Sequence, residues 1–384
     1  MTDVAQSDIA ATSYARAAPR PGYLFGPVFD FLALGGGSVI VCGLIALLLP
    51  KGITNLEQAV LITLLMTLIN QPHFAHSYQI FYRGFQEKAF GECYPRDLRL
   101  RYIVAGLVVP ALLIAGLAAG VISGSVRVLS YGANLMFFLV GWHYVKQGYG
   151  ILIVDSVQKR IMFSTPAKTI FRLNGYACWL VAWLGLNHAL SKATPYVGIT
   201  YYTFPLPAIV YQTAIALAAA TTLASLSLLF QRFREARALP LNGVVAYLTA
   251  LYLWVIFVRI NPLVLAVVPT FHSLQYLAVV WRYQLNAGTS SGGSLPPLDR
   301  VWAPGAGRSL ALFVVLGTVL GYLGLMGLPG LLDAHLNYSK QVWGPSLAVF
   351  LFYIFINVHH YFLDNVMWRR GNPDVAKHLF GRVR

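Results

Sequence analysis

Six of the nine histidines in this chain fall inside long apolar runs: His73, His76, His143, His272, His359 and His360. Ionisable side chains buried in hydrocarbon are costly, turn toward a protein interior and mark function. Their spacing sets three of them at one level. His73 stands ten residues before Arg83, which follows Tyr82; His272 stands ten before Arg282, which follows Trp281; His359 stands ten before Arg369, which follows Trp368. An aromatic followed by arginine suits the inner membrane interface. Ten helical residues rise about 15 Å, half of a hydrocarbon layer ~30 Å thick. The three imidazoles are therefore expected at mid-depth, with His143, which lacks such a pair, beside them.

The surrounding residues suit metal ligation. His73 and His76 are three apart and share a helix face. Gln79 follows His76, Gln147 follows His143, Gln275 follows His272 and Asp364 follows His360, each by three or four residues. A ligating imidazole gives its other N–H to such an acceptor, so these four are candidate orienting partners or additional ligands. His359 and His360 point about 100° apart, so either is the direct ligand. Neutral imidazoles with at most one carboxylate suit iron, copper or zinc and not calcium or magnesium. Cys42, Cys93 and Cys178 have no paired spacing that would supply thiolates or a disulfide framework. Non-haem iron, mono- or dinuclear, is the first expectation; axially held haem, copper and zinc follow. The aromatics Phe74, Tyr78, Tyr144, Tyr149, Tyr276 and Tyr361 beside the histidines are candidates for an apolar substrate pocket. Lys146, between His143 and Gln147, either snorkels or puts a cation in the cavity. His188, His335 and His378 lie at run ends or in loops and read as structural or solvated.

The elements that must carry these residues are membrane helices. The chain is 57% hydrophobic and 11% charged, against about 25% charged in soluble domains. Ten spans are predicted, near 28–50, 56–82, 100–124, 128–154, 171–191, 206–231, 241–258, 261–286, 308–331 and 342–368. The fold class is all-α, a polytopic membrane helix bundle. With the N-terminus inside, 22 of the 28 Lys and Arg residues fall on the cytoplasmic side and five opposite, Lys146 being within a span. That asymmetry places both termini in the cytoplasm. It also accounts for the net charge of +15 without nucleic acid.

The domain reading is a cytoplasmic tail over 1–27, one transmembrane domain over 28–368 and a cytoplasmic tail over 369–384. Residues 1–24 lack the short apolar core and cleavage site of a signal peptide. A Gly-, Ser- and Pro-rich linker spans about 287–307. A tight turn at Arg259-Ile260-Asn261-Pro262 divides the seventh and eighth spans. The aromatic stretch 193–205 is expected at the outer interface.

With these residues collected, the chain resembles the Brp/Blh-type membrane β-carotene dioxygenases. Pro72-His73 looks like that family's first histidine motif, Trp142-His143-Tyr144 its second and Phe271-His272-Ser273 its third. His359 with Asp364 is similar to the last. The chain departs from the family at Tyr276, where a second histidine is expected, and at Ser77 and Gly148, where acidic residues are expected. The resemblance implies an iron site on His73, His143, His272 and His359.

The function expected is a membrane oxygenase or oxidase of bacterial inner-membrane type. It acts on a hydrophobic small molecule from the bilayer, such as a carotenoid or acyl chain, with an electron donor as partner. The alternatives are a metal-ion or proton transporter that uses the histidines as a relay, and a haem-binding electron carrier.

Overall fold

The computed structural model describes residues 22–49, 53–189, 194–257, 260–261, 263–289, 306–369 and 371–380. The expected N-terminal tail up to residue 21, most of the linker, and residues 259 and 262 of the expected turn lie outside these. Among the described residues the fold is almost entirely helical. Its long helices are α1 (Pro27–Leu48), α2 (55–82), α4 (Arg96–Ile122), α5 (Val126–Gln158), α6 (Thr165–Ala189), α7 (Ala208–Ala236), α8 (241–257), α9 (Leu263–Thr289), α10 (306–335) and α12 (Leu347–Met367). Short helices α3 (Phe85–Phe90), α11 (Lys340–Trp343) and α13 (Pro373–Phe380) connect or follow them. Five helices, α1, α4, α7, α10 and α12, are long and apolar enough to cross a membrane.

The aromatic stretch near 200 departs from the all-helical expectation. Strands β1 (Thr194–Tyr196) and β2 (Ile199–Tyr201) form an antiparallel hairpin that buries Ile199 and Tyr201 against α5. Val197-Gly198 makes its turn, with both residues at positive φ. The expected C-terminal tail likewise carries a helix, α13, which packs on α9.

Helix α12 is central. Its most apolar window is 61% buried, against 17–33% in the other four helices of that class, and it touches α2, α4, α5 and α10. Asp333, near the end of α10, fixes its start. The Asp333 carboxylate accepts from the N–H groups of Ala348 and Val349 at 2.7 and 3.0 Å and from the Tyr338 hydroxyl at 2.8 Å. A carboxylate on unpaired N–H groups at a helix N-terminus is favourable. Helix α2 begins with a capping box in which Thr54 and Glu57 satisfy each other's backbone N–H groups.

Three long helices repeat one device, a π turn followed by proline. Met66–Asn70 precedes Pro72, Val104–Val108 precedes Pro110, and Leu323–Gly327 precedes Pro329. In α4 the Val109 N–H bonds to the Val104 carbonyl, so the Ala105 carbonyl loses its usual donor. Pro110 has no N–H, so the Gly106 carbonyl loses its donor too. Side chains replace both. His359 Nε2 donates to the Ala105 carbonyl, and the Tyr82 hydroxyl donates to the Gly106 carbonyl, each at 2.9 Å. The π turn of α1, Leu32–Gly36, is used similarly: Gln275 Nε2 donates to the Leu34 carbonyl at 2.7 Å.

Candidate metal centre

Four histidines from four helices meet: His73 on α2, His143 on α5, His272 on α9 and His360 on α12. One ring nitrogen from each lies within 4.8 Å of the other three, and all four side chains are buried. The rings pack mostly edge to face, with centroids 4.7–5.1 Å apart for the pairs His73–His272, His73–His360, His143–His272 and His143–His360. Aromatic rings wall them in. Tyr144 stacks on His272 at 3.9 Å, Tyr361 on His143 at 4.8 Å, and Phe74 and Tyr276 meet His360 and His73 at 4.6 and 4.4 Å.

The hydrogen bonds of the rings show what the cluster lacks. Ser273 Oγ donates to the Pro269 carbonyl at 3.0 Å, so His73 Nδ1 donates to Ser273 Oγ at 3.2 Å. The lone pair of His73 Nε2 then has no partner; His143 Nε2 and both ring nitrogens of His272 are also buried and unpaired, while the His360 ring lies beside the Ile356 and Asn357 backbone. Buried polar atoms in folded proteins are nearly always satisfied. An ion among these nitrogens would satisfy one on every ring. Two imidazoles facing each other across an ion lie about 4.2 Å apart, twice a bond of ~2.1 Å, which matches the observed spread after small side-chain rotations. The donor set therefore fits a first-row transition metal.

Asp364, one turn beyond His360, adds a carboxylate. Its Oδ1 accepts from the Ser77 hydroxyl at 2.9 Å and the Tyr276 hydroxyl at 3.1 Å; these two hydroxyls are 2.7 Å apart. Its Oδ2 lies 3.7 Å from His143 Nε2, with Trp368 also beside the carboxylate. The sequence pairs Asp364 with His360, but the fold sets it against His143 because the α5 ring crosses to that side.

On the opposite side of the rings is a cavity of about 60 Å³. It is lined by residues that precede the histidines on all four helices, among them Asn70, Val140, Pro269 and Asn357. Ser77, Tyr276 and Asp364, which follow the histidines on three of those helices, meet on the far side. The four helices thus run through the site in the same direction.

The other expected site residues lie elsewhere. His359 faces α4: Nε2 donates to the Ala105 carbonyl, so Nδ1 accepts from the Tyr78 hydroxyl at 2.9 Å. Both nitrogens are used, and the place in the cluster expected for His359 is taken by its neighbour His360. His76 faces α10, stacked on Phe313 at 4.1 Å and packed on Gly317, with Nδ1 donating to Gln79 Oε1 at 2.7 Å. The i, i+3 pairing with His73 does not carry both rings to one centre, because their 300° separation leaves a divergence of about 60° that two different partner helices exploit. Gln147 donates to the His272 carbonyl and to Gln275 Oε1 at 3.0 and 3.2 Å, so these glutamines bind backbone and each other instead of imidazoles. Tyr78 lines His359, and Tyr149 packs in a separate cluster with Val145 and Phe171. Lys146 bonds to Asn365 and lies 4.3 Å from the Trp142 ring.

Family models, curated proteins and solved structures contain no match to the chain. The likeness to the dioxygenases thus rests on the motif residues. Sequence reasoning gave Ser77 and Ser273 no role at the site and did not single out Asn70 and Asn357. A signal for the last two exists: asparagine stands three residues before both His73 and His360.

Proposed function

We propose that this chain is a membrane-embedded metal enzyme that oxidises a lipid-soluble substrate with dioxygen. The observation that carries the reading is the convergence of four buried imidazoles on one point. Isolated, each would be an uncompensated polar burial; together they are a ligand set. His73, His143, His272 and His360 would hold the ion and Asp364 would add the one negative charge. When bound, a redox-active ion, iron first, supplies the activation of dioxygen. Ser77 and Tyr276 keep the Asp364 carboxylate turned to the centre. Tyr144, Tyr361 and Phe74 exclude water, which protects a reactive site from side reactions.

In this reading the ten long helices are ten crossings of an inner membrane with both termini cytoplasmic, as the basic residues favour. The substrate then enters sideways from the bilayer. The geometry argues against the two other readings. A flat macrocycle has no slot between rings packed edge to face below 5.2 Å. A histidine relay would need a line of imidazoles, and His76 and His359 each turn to partners of their own.

The deciding experiment is metal analysis of protein purified in mild detergent, beside the His272→Ala variant. Near-stoichiometric iron that the variant loses, together with its dioxygen consumption, supports the reading. No bound metal, with the variant indistinguishable from the parent, ends it.

A further inference from the structure

The cavity beside the histidines contains a feature that the metal does not account for. Asn70 lies one turn before His73 on α2, at the end of the π turn Met66–Asn70, and is 4% exposed. Its amide Nδ2 donates to the Met66 thioether at 3.2 Å, which fixes the amide the other way round: Oδ1 has no donor. Asn357, its counterpart before His360, is by contrast satisfied at both ends, donating to the Tyr353 carbonyl at 2.8 Å and accepting from Tyr361 at 3.2 Å. The cavity thus has two characters. One end holds the unpaired Asn70 oxygen and the rings of His73 and His360. The rest of the lining mixes Ser273, Asn357 and three tyrosines with the apolar side chains of Met66, Met136, Phe137 and Val140, of which Met66, Phe137 and Val140 are partly exposed.

We propose that this cavity binds the hydroxyl end of a chain lipid, a long-chain primary alcohol, with its O–H donated to Asn70 Oδ1. A site built around a hydrogen-bond acceptor discriminates strongly against the analogue without the donor. A pure hydrocarbon would leave the Asn70 oxygen buried and unpaired. The size agrees. At about 60 Å³, where one water needs ~10–15 Å³ by the same measure, the cavity has room for a hydroxyl and the first carbons of the chain that carries it. The rest of the chain leaves past Met66, Phe137 and Val140. Two methionines on that wall suit a chain of variable shape. The hydroxyl-bearing carbon is then next to His73 and His360. This inference rests on the site being a lipid-modifying metal centre and names the lipid.

The test is photo-labelling of the full-length protein in detergent with a diazirine-bearing dodecanol, competed by unlabelled 1-dodecanol or n-dodecane. The expected result is label on peptides that carry Met66 or Met136-Phe137, with 1-dodecanol about tenfold the better competitor, as one hydrogen bond predicts. Asn70→Leu should erase that preference and Asn70→Asp, which keeps an acceptor, should retain it. Equal competition by the two compounds, label confined to other peptides, or an undiminished preference in Asn70→Leu would overturn the proposal. If the variants fail to fold, the parent's competition ratio decides alone. Metal content of the same sample separates the two readings. A metal-free protein that still prefers the alcohol removes the enzyme and leaves the binding site. A metal-loaded protein without the preference removes the binding site only.

Discussion

Asp364 Oδ2 stands 3.7 Å from His143 Nε2, beside the four clustered imidazoles. Asp364→Asn keeps the shape and the acceptor for Ser77 and Tyr276 but removes the charge. Loss of a group that touches or orients metal ligands costs 10–100-fold in affinity as a rule. We expect a loss of about that size in a chelator competition, with little change in thermal melting. Asp364→Ala should melt lower as well, because two buried hydroxyls lose their acceptor at about 1–3 kcal/mol. Unchanged affinity in Asp364→Asn would take the carboxylate out of the centre.

His359 and His360 are adjacent and predict opposite phenotypes. On the proposed metal reading His360→Ala removes a ligand nitrogen and should reduce bound metal to background while the helices stay folded. His359→Ala removes two hydrogen bonds from α12 to α2 and α4. It should lower stability by about 2 kcal/mol, on the order of 1 kcal/mol per bond, and retain most of the metal. The two measurements, metal per chain and melting temperature, are made on the same preparations. Metal loss in His359→Ala equal to that in His360→Ala would mean the rings exchange roles.

The contrast also marks what the sequence could tell. The ten-residue offsets from the arginines to His73, His272 and His359 correctly grouped α2, α9 and α12, because rise per residue is a property of any helix. They could not choose between His359 and His360, because that choice depends on where α4 lies. The carbonyl that captures His359 is freed by a π turn and Pro110, and a register shift of one residue has no sequence signature apart from the proline. His76 stands outside the four-histidine cluster for a related reason. Its helix face is legible, but the close approach of Gly317 that draws its ring toward α10 belongs to the packing. The hairpin at β1 and β2 was hidden by its aromatic composition, which an interfacial stretch shares.

Pro110 offers a test of the π turn itself. Alanine in place of proline inside a helix ordinarily stabilises, by up to ~3 kcal/mol. Here Pro110→Ala restores an N–H that competes with Tyr82 for the Gly106 carbonyl and, in the shifted register, with His359 for the Ala105 carbonyl. The expected outcome is therefore inverted, with melting in detergent lowered by the equivalent of about 1–2 kcal/mol for two displaced bonds. A stabilised Pro110→Ala would show that the side chains follow the helix and do not depend on the missing donor.

Lys88 provides a pH signature at the end of the helix that carries His73. Its ammonium donates to the Ile80 and Phe81 carbonyls at 2.9 and 3.4 Å, at the C-terminal end of α2, where a cation is favourable. Asp374 on α13 lies 3.9 Å away, so the lysine also ties the C-terminal helix to the bundle. Burial nevertheless dominates and pushes Lys88 down from 10.5 to about 8, against the pull of Asp374. Below pH 8 the amine is charged in both the folded and the unfolded chain, and folding bears the whole cost of burying it. Between pH 8 and 10.5 the folded protein has lost the proton and the unfolded chain still holds it. The unfolded state then binds more protons, so stability rises with pH across that window, by at most about 1.4 kcal/mol per unit. Melting curves of the parent and of Lys88→Met, taken at intervals from pH 7 to 10.5, isolate this contribution: the difference should favour the parent increasingly above pH 8. A flat difference would place the lysine in water, and a falling one would mean that the Ile80 and Phe81 carbonyls and Asp374 outweigh its burial; either outcome overturns this prediction.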